Sequence, residues 1–159
     1  MAVTPHIKGK LGLEFRGLRE LMGKLDPNGK VNRRVVAAGT RGMIEVTNHL
    51  LREAQKIVPH DEGELQGSGS ATIYVDGKRV SGQAVESDES GPGLKRAGSA
   101  DVIEGHVTFN KPYAAEQHER LDFVHPKGRK AKYLEGPMKE NADRYAGHLG
   151  DKIQEELHR

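Results

Sequence analysis

His118 and His125 lie seven residues apart, with Glu119 beside the first, and a His/Glu group of this kind raises zinc ligation or general acid–base work. A helical zinc site needs two histidines at i and i+4 on one face. Here Phe123 and a loop flanked by Pro126 intervene, so surface or capping roles fit the pair better than ligation. His60-Asp61-Glu62, with Glu64, offers clustered carboxylates, but general catalysis requires burial that splits their pKa values. The segment sits between Pro59 and Gly63 with little apolar cover, which describes a solvated corner. Gly67-Ser68-Gly69-Ser70 follows that corner without opening a helix and is not a phosphate loop. With no cysteine, thiol nucleophiles, disulfides and Cys-based zinc sites are excluded. No catalytic, cofactor-binding or metal-binding residue is assigned on these grounds.

The strongest charged feature is basic: Lys127, Arg129, Lys130 and Lys132 fall within six residues. Such a cluster suits electrostatic contact with phosphates or with an acidic protein surface. Few aromatics stand beside it, so stacking on single-stranded bases is not expected.

These residues are positioned by elements legible in the pattern. Residues 1–12 mix Pro5, Gly9 and Gly12 without periodicity and read as a flexible arm ahead of a single domain over 13–159. Phe15, Leu18, Met22 and Leu25 predict a short amphipathic helix, closed by Asp26-Pro27-Asn28-Gly29. Val36, Thr40, Met43, Thr47, Leu50, Ala54 and Ile57 repeat at 4-3 spacing, with Val35, Val46 and Val58 widening the stripe. They predict a helix from Val31 to Val58, about 42 Å long at 1.5 Å per residue, stopped by Pro59. Gly39 and Gly42 within it imply a bend or a close backbone contact. Beyond the corner the period becomes two: Ala71, Ile73 and Val75 form a strand, Asp76-Gly77 a tight hairpin, and Val80–Val85 the return strand. Residues 86–100 read as a long protruding polar loop, and a third strand carries Ile103, Gly105, Val107 and Phe109 on one face. A short helix over Pro112–Arg120 precedes the basic loop. A last helix is striped by Leu134, Met138, Ala142, Tyr145, Leu149, Ile153 and Leu157, with Pro137 in its first turn. Glu140 with Arg144, and Lys152 with Glu156, are spaced to pair along its wet side. The expected class is α+β: a long helix in the N-terminal half and a C-terminal helix packed on a small antiparallel sheet.

The chain is one domain's length, 159 residues, and its apolar share is low, with 35% hydrophobic residues, 4% aromatic and no Trp. Its net charge of only +2 removes the self-repulsion that keeps such chains unfolded. A thin core of this kind gains from burial against neighbouring subunits. Charge is segregated: residues 1–60 hold 11 basic and 5 acidic side chains, 61–126 hold 6 and 12, and 127–159 hold 8 and 6. Opposite patches suit contact between protein surfaces, whereas a nucleic-acid binder carries an overall basic excess. No apolar run is long enough to span a membrane, and Met1-Ala2-Val3-Thr4-Pro5 lacks a signal-peptide core, so a soluble protein made and kept in a cytoplasm is expected.

Two segments, in order, carry a resemblance. The first is Ile57-Val58-Pro59-His60-Asp61-Glu62-Gly63-Glu64-Leu65. The second is Pro112-Tyr113-Ala114-Ala115-Glu116-Gln117-His118-Glu119, followed by His125-Pro126-Lys127-Gly128 and by Ala131-Lys132-Tyr133-Leu134-Glu135-Gly136-Pro137-Met138. Together they resemble the minor tail-component or tail-completion proteins of long-tailed bacteriophages, over roughly residues 31–158. The resemblance implies a non-enzymatic virion protein of the neck. It would form a ring, commonly six-fold, between the head-completion or stopper protein and the tail tube or tail terminator, with DNA passing through its lumen. Many members carry an acidic-x-Gly-Thr after Tyr-Ala that is absent here, so a joining protein, a tail terminator and a related neck ring all stay open.

On that reading the partner-binding candidates are Lys127, Arg129, Lys130 and Lys132, together with Glu86, Asp88, Glu89, Lys95 and Arg96 of the 86–100 loop. The signature residues are Pro59, Gly63, Leu65, Tyr113, Ala114, His118, Glu119, His125, Leu134 and Pro137. Tyr113 and the Lys132–Met138 turn are expected to brace the sheet against the last helix. Two other readings remain: a small nucleic-acid-binding module resting on 127–132, and a small hydrolase resting on His118, Glu119 and His125.

Overall fold

A 28-residue helix, α1 (Lys30–Ile57), dominates the computed structural model, which describes residues 2–6, 10–15, 30–59, 63–82, 102–125 and 128–158. The 4-3 stripe drives its packing: Met43, Val46, Thr47, Leu50 and Ala54 are buried, and Val58 continues the seam one turn on. Near the N-terminus Val35 and Ala38 fill the core, while Val36 and Thr40 are half-buried. Gly39 and Gly42 serve close approach. A Cβ at Gly39 would stand 3.0 Å from Ile103 Cδ1, and one at Gly42 3.0 Å from Leu149 Cδ2.

The sheet has five antiparallel strands in the order β1-β2-β5-β3-β4, formed by β1 (Ala2–His6), β2 (Lys10–Phe15), β3 (Gly69–Val75), β4 (Lys78–Ser81) and β5 (Ile103–Phe109). The segment read as an arm, residues 1–12, thus supplies β1 and the first half of β2. Leu11, Leu13 and Phe15 alternate, and β2 occupies the β5 edge that β3 leaves open, with Lys10 opposite Thr108 and Phe15 opposite Ile103. Backbone groups along both edges of β5 are paired in this way. Phe15 ends that strand and opens no helix; the rest of the expected 15–25 helix lies outside the described residues. Asp76 and Gly77 both have positive φ, the geometry of a tight two-residue hairpin, and β4 spans Lys78–Ser81. Residues 83–85 of the expected return strand and the whole 86–100 loop lie outside the described residues.

One face of the sheet meets α1, and α4 (Glu135–Leu157) packs along α1, with Met43, Leu50, Ile73, Val107, Phe109, Tyr133, Leu134, Met138 and Leu149 in one cluster. Burying each large aliphatic side chain contributes roughly 1.5–3 kcal/mol, so this seam holds the layers together. The other face is polar and hydroxyl-rich. Ser70 Oγ and Thr108 Oγ1 lie 2.9 Å apart across β3 and β5, and the Tyr74 and His106 rings meet at 5.0 Å.

Helices α1 and α4 run antiparallel, and their charges pair across the seam. Arg34 and Arg41 reach Glu156 at 3.0 and 3.5 Å, and Lys152 reaches Glu45 at 3.3 Å. Lys152 and Glu156, spaced to pair along one helix, therefore bridge two. Exposed pairs contribute 0–1 kcal/mol each, so they set register more than stability. The class is α+β, helices packed on a small antiparallel sheet.

Candidate functional site

The second of the segments that carry the resemblance folds into one interlocked unit. Helix α3 (Ala114–Glu119) leaves the Phe109 end of β5. It is met by residues 131–135, which lead into α4. Lys132, in the left-handed region at φ 56°, donates its backbone N–H to His118 O at 2.8 Å and accepts from Gly136 N–H at 2.8 Å. Tyr133 is fully buried; its hydroxyl donates to Ala114 O at 2.8 Å, and its ring meets Phe109 and His118 edge-on at 5.1 and 4.9 Å. Burial pushes the Tyr133 hydroxyl pKa far up, so it stays a donor.

His118, 2% exposed, is held at both ring nitrogens. Nδ1 lies 2.7 Å from Glu119 Oε1, and Nε2 accepts from the Glu135 backbone N–H at 3.4 Å. Burial lowers the imidazole pKa, opposed by Glu119, so the neutral form with its proton on Nδ1 fits both partners. Glu119 in turn pairs with Lys132, whose ammonium holds that carboxyl below its ordinary value, and Lys132 also reaches Glu135 at 3.2 Å. A His–Glu pair of this kind orients an imidazole for base chemistry when Nε2 faces a substrate. Here Nε2 faces the first turn of α4, so the pair does positioning work: it clamps α3 to α4.

His125 is half-buried against Phe123, with ring centroids 6.2 Å apart. Among the described residues, no three His, Asp or Glu side chains converge as metal ligands would. His60, Asp61 and Glu62 lie outside the described residues; Glu64 is exposed and pairs with Lys111 at 2.9 Å.

The basic cluster divides. Arg129 Nη1 donates to Gln55 O at 2.9 Å and Val58 O at 3.1 Å, and the Lys130 backbone N–H donates to Ile57 O at 2.9 Å. The loop thereby caps the carbonyls that the end of α1 leaves without helical partners. Lys132 belongs to the clamp, Lys130 is exposed, and Lys127 lies outside the described residues, as do Glu86, Asp88, Glu89, Lys95 and Arg96. Arg129 and Lys132, grouped with the partner contacts from sequence, are engaged inside the fold.

The remaining signature residues explain themselves locally. Pro59 is buried behind Val58, and Gly63 takes φ 82° to turn the chain into α2 (Glu64–Gly67). That turn lets Leu65 plug the core. Gln55 and Gln66 exchange side-chain hydrogen bonds with each other's carbonyls, at 3.1 and 2.8 Å, tying α2 to the end of α1. Leu134 and Pro137 are buried at the start of α4. Of the brace expected of Tyr113 and the Lys132–Met138 turn, the turn supplies its part through Tyr133, whereas Tyr113 is exposed.

Pattern reading missed the segment after α3. Arg120 lies over the Phe123 ring at 4.4 Å and grips Asp122 through two bonds, at 3.1 and 2.6 Å. Glu116 adds a third contact at 3.4 Å. The loop so tied presents Leu121, 76% exposed, and Val124, 95% exposed, to solvent. The bidentate spacing Arg120-x-Asp122 was the available signal. A shallow groove of about 450 Å³ also runs between α1 and α4, lined by Glu45, His49, Arg52, Arg144, Tyr145 and His148. His49 Nδ1 and the Tyr145 hydroxyl sit 2.8 Å apart in it. Compared with family models, curated proteins and solved structures, the chain matches none.

Proposed function

We propose that this chain is a structural virion protein of a long-tailed bacteriophage, assembling with its own copies into a ring at the head-to-tail junction. The observation that carries the reading is the α3–α4 clamp with its adjoining loop. The first and last stretches of the second segment that resembles tail-completion proteins lock onto each other through His118, Glu119, Lys132 and Tyr133. What they hold in place is not a cleft but a stiff loop with Leu121 and Val124 in water. Exposed aliphatic side chains on a pre-organised loop suit contact with another protein. Segregated charge along the chain suits head-to-tail packing, in which one patch meets a different patch on the next subunit.

A nucleic-acid module resting on the basic loop has less support, because Arg129 and Lys132 are engaged within the fold. The neighbours on this reading are the head-completion or stopper protein on one side and the tail tube or terminator on the other. On the same reading, DNA in the lumen is a further, non-specific contact. Among the described residues no helix is long and apolar enough to cross a membrane.

The test is localisation in particles. Cryo-electron microscopy of the neck, with mass spectrometry of purified virions, is expected to find a closed ring of this chain between head and tail. Loss of the protein is expected to leave full heads and finished tails unjoined. Particles that join normally without it would remove the proposal.

A further inference from the structure

Two exposed patches at opposite ends of the sheet are complementary in charge and in apolar content. The first is the loop just described: Leu121 and Val124 project from it, and Glu116 and Asp122 outnumber Arg120 around it, Glu119 being paired with Lys132. The second is strand β4, which among the described residues ends the sheet on its side. Its Lys78 and Arg79 are exposed, and Val80 beside them is 51% exposed. A terminal strand also offers unpaired backbone groups, and lysine on such a strand guards against indiscriminate pairing. β4 pairs with the Ile73–Val75 end of β3, whereas α3 and the loop follow the Phe109 end of β5, which lies opposite Gly69. Four to six residue steps along β3 separate those positions, about 13–20 Å at roughly 3.3 Å per residue. One chain therefore does not bring its own two patches together.

We propose that the 120–125 loop of one copy packs on the β4 strand of a second copy, with Leu121 and Val124 covering Val80 and the acidic rim meeting Lys78 and Arg79. The inference rests on the reading of the chain as self-assembling and names the surface that does it. Because the two patches differ, the contact is heterologous, and each copy keeps one free patch of each kind. Repetition gives a ring when the rotation closes and a filament when it does not. The acidic rim keeps like patches apart, and the opposite charges set the register of unlike ones.

The chain has no cysteine, so Val80→Cys with Val124→Cys places the only two thiols at the proposed contact of the full-length protein. Mild oxidation of the double variant is expected to give a ladder of disulfide-linked multimers on a denaturing gel, while each single variant stops at the dimer. A mixing experiment supplies the second reading. Leu121→Lys with Val124→Lys removes the loop patch, and Lys78→Glu with Arg79→Glu removes the strand patch. Each variant alone is expected to sediment as a monomer, and an equimolar mixture as a heterodimer that grows no further. A double-cysteine variant that cross-links no further than the single ones overturns the inference. So does a lysine variant that assembles like the parent chain, or a parent chain that stays monomeric while the double-cysteine variant gives no ladder. An intact ladder from a protein missing from particles would instead overturn the neck assignment and leave this contact standing.

Discussion

Gly105 of β5 faces the hydroxyl of Thr47 on α1 so closely that a Cβ at position 105 would lie 2.1 Å from Thr47 Oγ1 and 3.0 Å from Met43 Sδ. Thr47 is itself fixed, since its hydroxyl donates to Met43 O at 2.7 Å. Helix and sheet touch here backbone against side chain, and there is no room for adjustment. Gly105→Ala is expected to destabilise the protein by about 3 kcal/mol, at the upper end of overpacking costs. Gly147→Ala in α4, where a Cβ meets nothing within 4 Å, should stabilise by about 1 kcal/mol. Urea unfolding of the two variants checks both signs together.

Removing the hydroxyl of Tyr133 leaves the ring packing intact and takes one hydrogen bond from the Ala114 carbonyl. Tyr133→Phe should therefore cost about 1 kcal/mol, the usual net contribution of one such bond. Faster amide hydrogen exchange is expected through α3, which that bond holds. Uniform protection in both proteins would show that the clamp does not depend on Tyr133.

Arg129 and Lys130 are neighbours with different work. Arg129→Ala removes two bonds to the end of α1 and should lower stability by about 1–2 kcal/mol. Lys130→Ala, which keeps the backbone bond to Ile57, should stay within about 0.5 kcal/mol of the parent. If both are neutral in thermal unfolding, the loop does not cap the helix.

His118 gives the clamp a pH dependence with a definite sign. Burial holds its folded pKa below the unfolded value, so its stabilising contribution is complete above the ordinary histidine range. That contribution is lost as the pH falls from the ordinary value through the lowered one, because the imidazolium can no longer accept from Glu135 N–H. It also sits unfavourably against the first turn of α4. His49 shifts in the same direction by burial, so the comparison must hold it constant. Between about pH 7 and pH 5, the parent's urea midpoint should fall more steeply than that of His118→Gln. Parallel slopes would show that the proton is not linked to folding through this residue.

Periodicity alone determined the α+β class, the 28-residue helix and its end at Pro59, the Asp76-Gly77 hairpin and the C-terminal helix, because these follow from local spacing and turn chemistry. Strand β2 escaped: its Leu11, Leu13, Phe15 alternation is short, and what makes it a strand is the open edge of β5, about ninety residues away. The candidate site was half legible. Its residue types stood out, but the partners that decide what each one does are distant in sequence. His118 belongs to a clamp because Glu135 comes to its Nε2, and Arg129 is a helix cap because the end of α1 lies under it. Tyr113 and Tyr133 are alike as letters, and only packing against Phe109 and His118 made the second the brace. Hydrogen bonds between remote segments exist only after the layers have docked, so the tertiary structure alone could assign them.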